Sequence, residues 1–382
     1  MLRRELLRLL ASAPLLGRLR SLGAFTQAAA AEAPDAAVVY RRAFAWAERV
    51  PPGDWAKARE ALESSRLGTE VDRWIDQARP ALAALREAAR IDACRWGDEA
   101  MPPEIIDRDR FRISNRHLTR LACLAARRHA EAGRFEEALD DAFAALSFAR
   151  RTGADAPMIG RLFECADEMA TLQTLGGLLP LLDRAALDSL ARRLDALPPV
   201  APASAMIGPE SRFILNAIRA GLAKAGPILV EEDWERTGCD DDEVEALKVL
   251  TGGHRDRLLV HLDATTPGFA ELGRRLDLPR PELDAAIEEF ARTRRGTDPI
   301  PVGLVASARS FCDAVDRAVL NRALLRAGLV LVRDGEAAFR ALRDPFGDGP
   351  FGLEGRKGGW IVRSSFPGIK SPTTEFRVGD PS

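Results

Sequence analysis

The sequence has 382 residues, which is more than one small domain needs and enough to bury a sizeable core. Hydrophobic residues make up 46% of it and charged residues 29%, a composition typical of folded chains and not of disordered ones. The formal net charge of −2 excludes a global attraction to nucleic acid or anionic membranes. With one Tyr and few β-branched runs, the chain is expected to be mostly helical.

Residues 1–33 form a distinct N-terminal segment, and three interpretations of it stay open. Its apolar residues follow the spacing of an amphipathic helix: Leu2, Leu6, Leu9, Ala13 and Leu16. Such a helix would dock on its own domain or contact a membrane surface through residues 1–20 and their arginines. Export is the third interpretation, but Pro14 interrupts the apolar stretch and Arg18 follows it, which a secretory signal disfavours. The cytoplasm or the inner-membrane surface is therefore favoured over export.

Residues 34–343 carry a succession of helical patterns that predict one α-helical domain. Asp35 is the expected cap of the first helix, and Pro51-Pro52-Gly53 ends it. A helix beginning at Thr69 should be kinked by Pro80. Residues 102–109 are predicted to form a proline-bearing loop, with Ser114 as the cap of the next helix. Single helices are expected at about 157–176, 183–197, 302–332 and 337–342. Several shorter helices are expected between residues 203 and 294.

The stretch "LAARRHAEAGRFEEALDDAFAALSFARRTG" predicts two antiparallel helices joined at Gly133. Apolar residues recur on one face of each helix, so both stripes must be buried. Gly133 follows the first helix directly and is predicted to adopt the left-handed conformation of a helix C-terminus.

The last segment, residues 344–382, differs in composition from the helical part and is predicted to form two or three short strands. It is rich in Gly and Pro, and "GWIVRSS" alternates apolar with polar residues. The motif "GLEGRKGG" lacks the spacing and the following helix of a phosphate loop, so it is interpreted as a hairpin. We expect this segment to cap the helical domain.

No catalytic signature is found in the sequence, and no cofactor or metal is predicted. The five cysteines lack a Cys-x-x-Cys pair, and the histidines lack His-Glu-x-x-His. Four tryptophans, Trp46, Trp55, Trp74 and Trp96, are interpreted as core residues, with sugar stacking as the alternative. An all-helical carbohydrate-active or other hydrolytic enzyme stays open, because its two opposed carboxylates cannot be selected among 57 acidic residues.

The predicted hairpin resembles a tetratricopeptide repeat. Ala126, Gly133, Ala138, Ala145 and Leu146 match its small and apolar consensus positions, and His129 occupies its usual aromatic position. A shift of 34 residues gives Asp167 for the glycine and Pro180 inside the second helix, so the motif does not repeat in tandem. The resemblance implies one hairpin within a stack of antiparallel helical hairpins.

A wider resemblance rests on the order of several segments: "DAAVVYRRAFA", "ALREAARIDACRWG", the hairpin, "LLPLLDRAALDSLARRLDALPP" and "DPFGDGPFGLEGRKGGWIVRSS". In this order they resemble a family of uncharacterised helical proteins from planctomycete-type bacteria. That family usually carries an N-terminal membrane anchor or signal, which residues 1–33 do not match. The closing segment also resembles the C-terminal β-region of type II secretion pseudopilins, from which we expect a similar small β-fold and not a similar role.

The expected function is that of a non-enzymatic interaction or scaffold protein. Arg116, Arg120 and Arg127 fall on one face of a helix, opposite its apolar stripe, and Asn115 adjoins them. In tetratricopeptide proteins the first helix of each hairpin lines the concave groove, where basic residues bind a carboxylate of the partner. The resemblance therefore implies that these four residues bind a protein or peptide partner, expected to be acidic; a solvated face without a partner is the alternative.

Overall fold

The computed structural model describes residues 34–63, 68–96, 105–154, 156–366 and 374–380. Its first four helices lie before residue 97: α1 (Ala36–Ala47), α2 (Pro52–Glu63), α3 (Thr69–Gln77) and α4 (Arg79–Ala89). Three longer helices follow: α5 (Ile105–Glu131), α6 (Phe135–Gly153) and α7 (Met158–Leu178). The next group contains α8 (Arg184–Asp195), α9 (Ile207–Gly221), α10 (Glu231–Thr237), α11 (Asp241–Thr251), α12 (Arg255–Ala264) and α13 (Thr266–Leu276).

The last helices and the strands complete the chain. The helices are α14 (Arg280–Arg294), α15 (Pro299–Gly303), α16 (Val305–Asp334) and α17 (Glu336–Arg340). The strands are β1 (Gly352–Arg356), β2 (Gly359–Ser364) and β3 (Thr374–Gly379), paired antiparallel in the order β1-β2-β3. The predicted fold class is confirmed: the protein is mostly helical with a small C-terminal sheet.

Local signals set several of the predicted boundaries. The Asp35 carboxylate accepts the backbone N–H of Ala37 and begins α1. Ala78 separates α3 from α4, and Pro80 lies in the first turn of α4, so the expected kink is a break between two helices. Gly133 has φ of +72° after the end of α5, as predicted.

The start of α5 was predicted wrongly. Residues 105–109 are helical and not part of a loop, and Ser114 lies inside α5 and not at its cap. From residue 105 onward no proline or glycine interrupts the sequence before Gly133. The helix therefore continues past Ser114, since a serine caps only where the backbone is already leaving the helix.

Three clusters of buried apolar side chains form the interior. The N-terminal cluster consists of side chains of α1–α6 between Ala36 and Phe148. The central cluster joins α5–α8, α16 and α17 to the sheet, between Ala126 and Val378. The C-terminal helical cluster is formed by Met158 and side chains between Ala203 and Val315. Helix α16 contributes to both the second and the third cluster.

The sheet covers one side of the helices, as expected of a cap. Val362 on β2 and Phe376 and Val378 on β3 are buried in the central cluster. Its other face carries paired charges, with Arg363 bonded to Glu354 and Glu375. The edge strand β1 is short and bears charged side chains, which disfavours pairing with another chain.

Candidate functional site

Helices α2, α5 and α7 run parallel to one another, with α5 in the middle. Trp55 of α2 stacks on His117 of α5, with ring centroids 4.0 Å apart, and farther along both helices the Leu62 carbonyl oxygen lies 3.3 Å from Arg127 Nη1. On the other side, Arg116 of α5 contacts α7 near its start, and Cys123 Sγ lies 3.8 Å from Thr171 Oγ1 one or two turns later. The face of α5 that carries the predicted arginines therefore lies between α2 and α7; we call it the α5 groove.

Arg116 lies in the α5 groove against an aromatic ring. Its guanidinium carbon is 4.8 Å from the centroid of the Phe163 ring on α7, a cation–π geometry, and its side chain is exposed. Among the described residues no carboxylate forms an ion pair with Arg116. Its positive charge is thus held in place by a ring and not neutralised by a direct partner.

Arg120 lies one turn after Arg116 and is partly buried. Both arginines act on Asp167 of α7: burial raises the pKa of that carboxyl to about 7, while the two guanidinium charges lower it. Asp167 is 6% exposed. At neutral pH it therefore cancels only part of the positive charge of the α5 groove.

Asn115 and Thr119 add buried polar atoms beside the two arginines. Asn115 Oδ1 and Thr119 Oγ1 have no hydrogen-bond partner within the described part of the chain. Thr119 lies between Arg116 and Cys123 on the α5 face directed at α7, as the helical period requires. Leaving such oxygens unpaired costs free energy, and their burial keeps them out of contact with solvent in the groove.

Arg127, the third predicted arginine, lies apart from Arg116 and Arg120. It lies three turns beyond Arg116, where its Nη1 donates to the carbonyl oxygens of Ala61 and Leu62 at 3.1 and 3.3 Å. These carbonyls belong to the last turn of α2, which lacks intrahelical partners for them. Only 14% of the Arg127 side chain is exposed, and Glu131 lies 3.7 Å away. Its contacts are those of a helix cap.

A second group of buried charges, on α7, was not predicted from the sequence. Glu168 is 2% exposed and is bonded to Arg322 of α16 and to Arg150 of α6. Both arginines also donate to the carbonyl oxygen of Pro198, at 2.7 and 3.1 Å. One turn earlier, Glu164 is bonded to Arg161, and burial raises the pKa of Glu164 to about 7 against the opposing effect of Arg161.

These charged residues escaped notice because α7 was predicted to bury a single apolar face. The spacing of its apolar residues predicts a face made of Met158, Leu162, Cys165, Met169 and Leu172. Met169 is in fact 37% exposed, while Glu164 and Glu168 are buried. Helix α7 contacts α5, α6, α16 and β3, so it is covered on several sides. The one local signal was the spacing of three residues between Arg161 and Glu164 on α7, which lets the two side chains pair.

Glu164 and Glu168 are not the pair of opposed carboxylates that the hydrolase alternative requires. A glycoside hydrolase needs two carboxylates facing each other across a cleft. Glu164 and Glu168 lie on the same helix, one turn apart, and each is less than a tenth exposed and bonded to an arginine. Glu168 links α7 to α6 and α16, while Glu164 pairs within α7.

The tryptophans belong to the core, as predicted. Trp55 is 4% exposed and packs edge-on against Trp74, with ring centroids 5.1 Å apart. Trp96 donates from Nε1 to the Arg151 carbonyl oxygen at 2.6 Å. Trp46, Trp74 and Trp96 are half-buried and pack against the N-terminal cluster.

Comparisons with family models, with curated proteins and with solved structures found no match. The tetratricopeptide, planctomycete-type and pseudopilin resemblances therefore stay expectations from the sequence. In the described ranges, no group of three or more His, Cys, Asp or Glu side chains is arranged to hold a metal ion. None of the described helices is long and apolar enough to cross a membrane.

Proposed function

We propose that the protein is a non-enzymatic interaction protein that binds an acidic segment of a protein partner in the α5 groove. Arg116 and Arg120 would pair with carboxylates of that segment. Asn115 is left out of the binding set, because its side-chain oxygen is buried and out of reach of a partner. Arg127 is left out of the binding set because its guanidinium is engaged by α2.

The observation that carries the proposal is the position of Arg116. Its guanidinium is exposed and stacked on Phe163, and no carboxylate of the described chain pairs with it. A stacked guanidinium loses little conformational freedom when it binds, so more of the interaction free energy remains for affinity. Arginines held in this way are frequent among the residues that dominate protein interfaces.

The parallel arrangement of α2, α5 and α7 also supports the proposal. In tetratricopeptide proteins, the first helices of successive hairpins run parallel and line the groove that accepts a peptide. Helix α5 is the first helix of the hairpin that resembles such a repeat, and its hairpin partner α6 packs behind it. We propose that the α5 groove is used in the same manner, without a tandem array.

A peptide-binding experiment tests this function. The full-length protein would be titrated with a panel of acidic peptides, each with a free C-terminal carboxylate or an amide in its place. The variant Arg116→Gln/Arg120→Gln is expected to weaken binding of acidic peptides at least about tenfold, because two charge-assisted hydrogen-bonding groups are lost.

The matched control is Arg192→Gln/Arg274→Gln, which removes the same charge from two exposed arginines on α8 and α13. It should bind within about twofold of wild type, since a general charge effect is small at physiological ionic strength. Equal losses in the two double variants, or no loss in the first while its melting temperature is unchanged, would refute the proposal.

A further inference from the structure

A separate depression lies between the C-terminal half of α14 and the start of α16. It has a volume of about 560 Å³ and is open to solvent. Ala291, Val305 and Ala306 form its apolar floor, and the remaining lining residues are charged: Glu288, Arg292, Arg295 and Arg309. It shares no residue with the α5 groove.

The charges in this depression do not balance. The lining has three arginines and one glutamate, and Asp284 is bonded to Arg309 from outside the lining, which leaves one net positive charge at neutral pH. Arg309 is bonded to Asp284 and to Glu288 of α14, at 2.7 and 3.2 Å. Arg292 and Arg295 are exposed, and within the described residues neither has an ion-pair or hydrogen-bond partner for its side chain.

The three arginines reach the depression from two helices. Arg292 and Arg295 are three residues apart at the end of α14, so their side chains project from the same side of that helix. Arg309 lines the same depression from α16 and is held in orientation by its two carboxylate partners. Val305 and Ala306 begin α16, whose N-terminal end carries partial positive charge.

We propose that this depression binds the phosphate monoester of a small aliphatic molecule. A phosphate dianion has three acceptor oxygens on one phosphorus atom. It can therefore accept hydrogen bonds from guanidinium groups on two helices at once, which a single carboxylate does less well. The alanine and valine floor contacts the organic part of the ligand. None of the described residues that line the depression is aromatic. We therefore do not expect the ligand to carry a nucleobase, which would need an aromatic ring to stack on.

Titration calorimetry of the full-length protein tests this proposal with two probes, inorganic phosphate and glycerol 3-phosphate, at constant ionic strength. Glycerol 3-phosphate is expected to bind more tightly because only it contacts the apolar floor. Arg292→Gln/Arg295→Gln should weaken its binding at least about tenfold, while Arg192→Gln/Arg274→Gln, with the same change in charge, should stay within about twofold.

Glu288→Gln gives a test in the opposite direction. It removes the one negative charge of the lining and releases Arg309 from one partner, so glycerol 3-phosphate should bind about threefold or more tightly. Wild-type affinity in Arg292→Gln/Arg295→Gln, or weaker binding in Glu288→Gln with an unchanged melting temperature, would overturn the site. Equal affinity for the two probes would overturn the role of the apolar floor.

Discussion

The Glu164 carboxylate packs directly against the backbone of Gly153, at the end of α6. A Cβ atom at residue 153 would fall well within contact distance of the Glu164 side chain, closer than real Cβ atoms approach other atoms. Glu164 in turn is bonded to Arg161 on the same helix. The absence of a side chain at Gly153 is thus what lets α7 bring this buried carboxylate close to α6.

Gly153→Ala is therefore expected to destabilise the protein by about 1–3 kcal/mol, the usual cost of overpacking a closed interior. The measurement is the free energy of unfolding in urea. Gly177→Ala is the matched control: it is also a helical glycine, but its Cβ would meet only the Gly379 carbonyl oxygen, at 3.9 Å. That control should be neutral or stabilising by up to about 1 kcal/mol, because alanine favours helix. Equal effects of the two substitutions would contradict the close packing of Glu164 on Gly153.

The pKa of Glu164 predicts a pH dependence of stability. Burial raises it from 4.5 to about 7, so the folded state binds a proton that the unfolded state has released. The contribution is fully present below pH 4.5 and is lost as the pH rises through 7. In Glu164→Gln, the loss of unfolding free energy between pH 5 and pH 8 should be smaller than in wild type by about 1–3 kcal/mol.

The control for this pH effect is Glu245→Gln, which removes an exposed carboxylate from α11. Its change between the two pH values should equal that of wild type. Urea titrations of the wild type and the two variants at both pH values measure the change in unfolding free energy. A Glu164→Gln protein with the wild-type pH profile would show that burial does not hold the proton on this carboxyl.

Gly133 is expected to tolerate few other residues because of its backbone and not because of its surroundings. Its φ is +72°, and a Cβ there would meet no atom within 4 Å. Gly133→Val should therefore cost about 1–2 kcal/mol of conformational strain, and Gly133→Asn less, since asparagine enters the left-handed region more readily. Thermal unfolding of both variants measures this difference. The reverse order of stability would contradict the assignment of the cost to φ.

Substitution of Arg127 is expected to lower the stability of the fold more than substitution of Arg116 does. Arg127→Gln removes the donors to the last carbonyl groups of α2 and should lower the unfolding free energy by about 1–2 kcal/mol. Arg116→Gln removes an exposed charge and a cation–π contact and should cost less than about 1 kcal/mol. Circular dichroism melts compare the two. A larger loss in Arg116→Gln would show that this residue supports the fold.

Helix type and approximate position could be predicted from the sequence where periodicity and breakers agree. Asp35, Gly133 and the hairpin in "GLEGRKGG" were located by local chemistry, which acts within a few residues. Ser114 was misjudged because a capping residue is also tolerated inside a helix whose other residues favour continuation. The boundary there depends on the whole of α5 and not on one side chain.

The candidate site could be predicted only in part, for a related reason. Periodicity placed Arg116, Arg120 and Arg127 on one face of α5, but it carries no information about the neighbours of that face along its length. Phe163 of α7 lies against Arg116, whereas the end of α2 lies against Arg127. Pairings such as Glu168 with Arg322 join residues 154 positions apart, which local patterns do not reveal.

Because the interior is divided into three clusters, parts of the molecule are expected to unfold separately. Buried charges on α7, around Glu164 and Glu168, separate the central cluster from the C-terminal helical cluster. Helices α9–α15 therefore form a contiguous unit that loses its own core when it unfolds, and such units exchange their amide protons together. The boundary crosses α16, between Val315 and Leu320. The first half of that helix is expected to exchange with α9–α15, and the second half only when the whole protein unfolds.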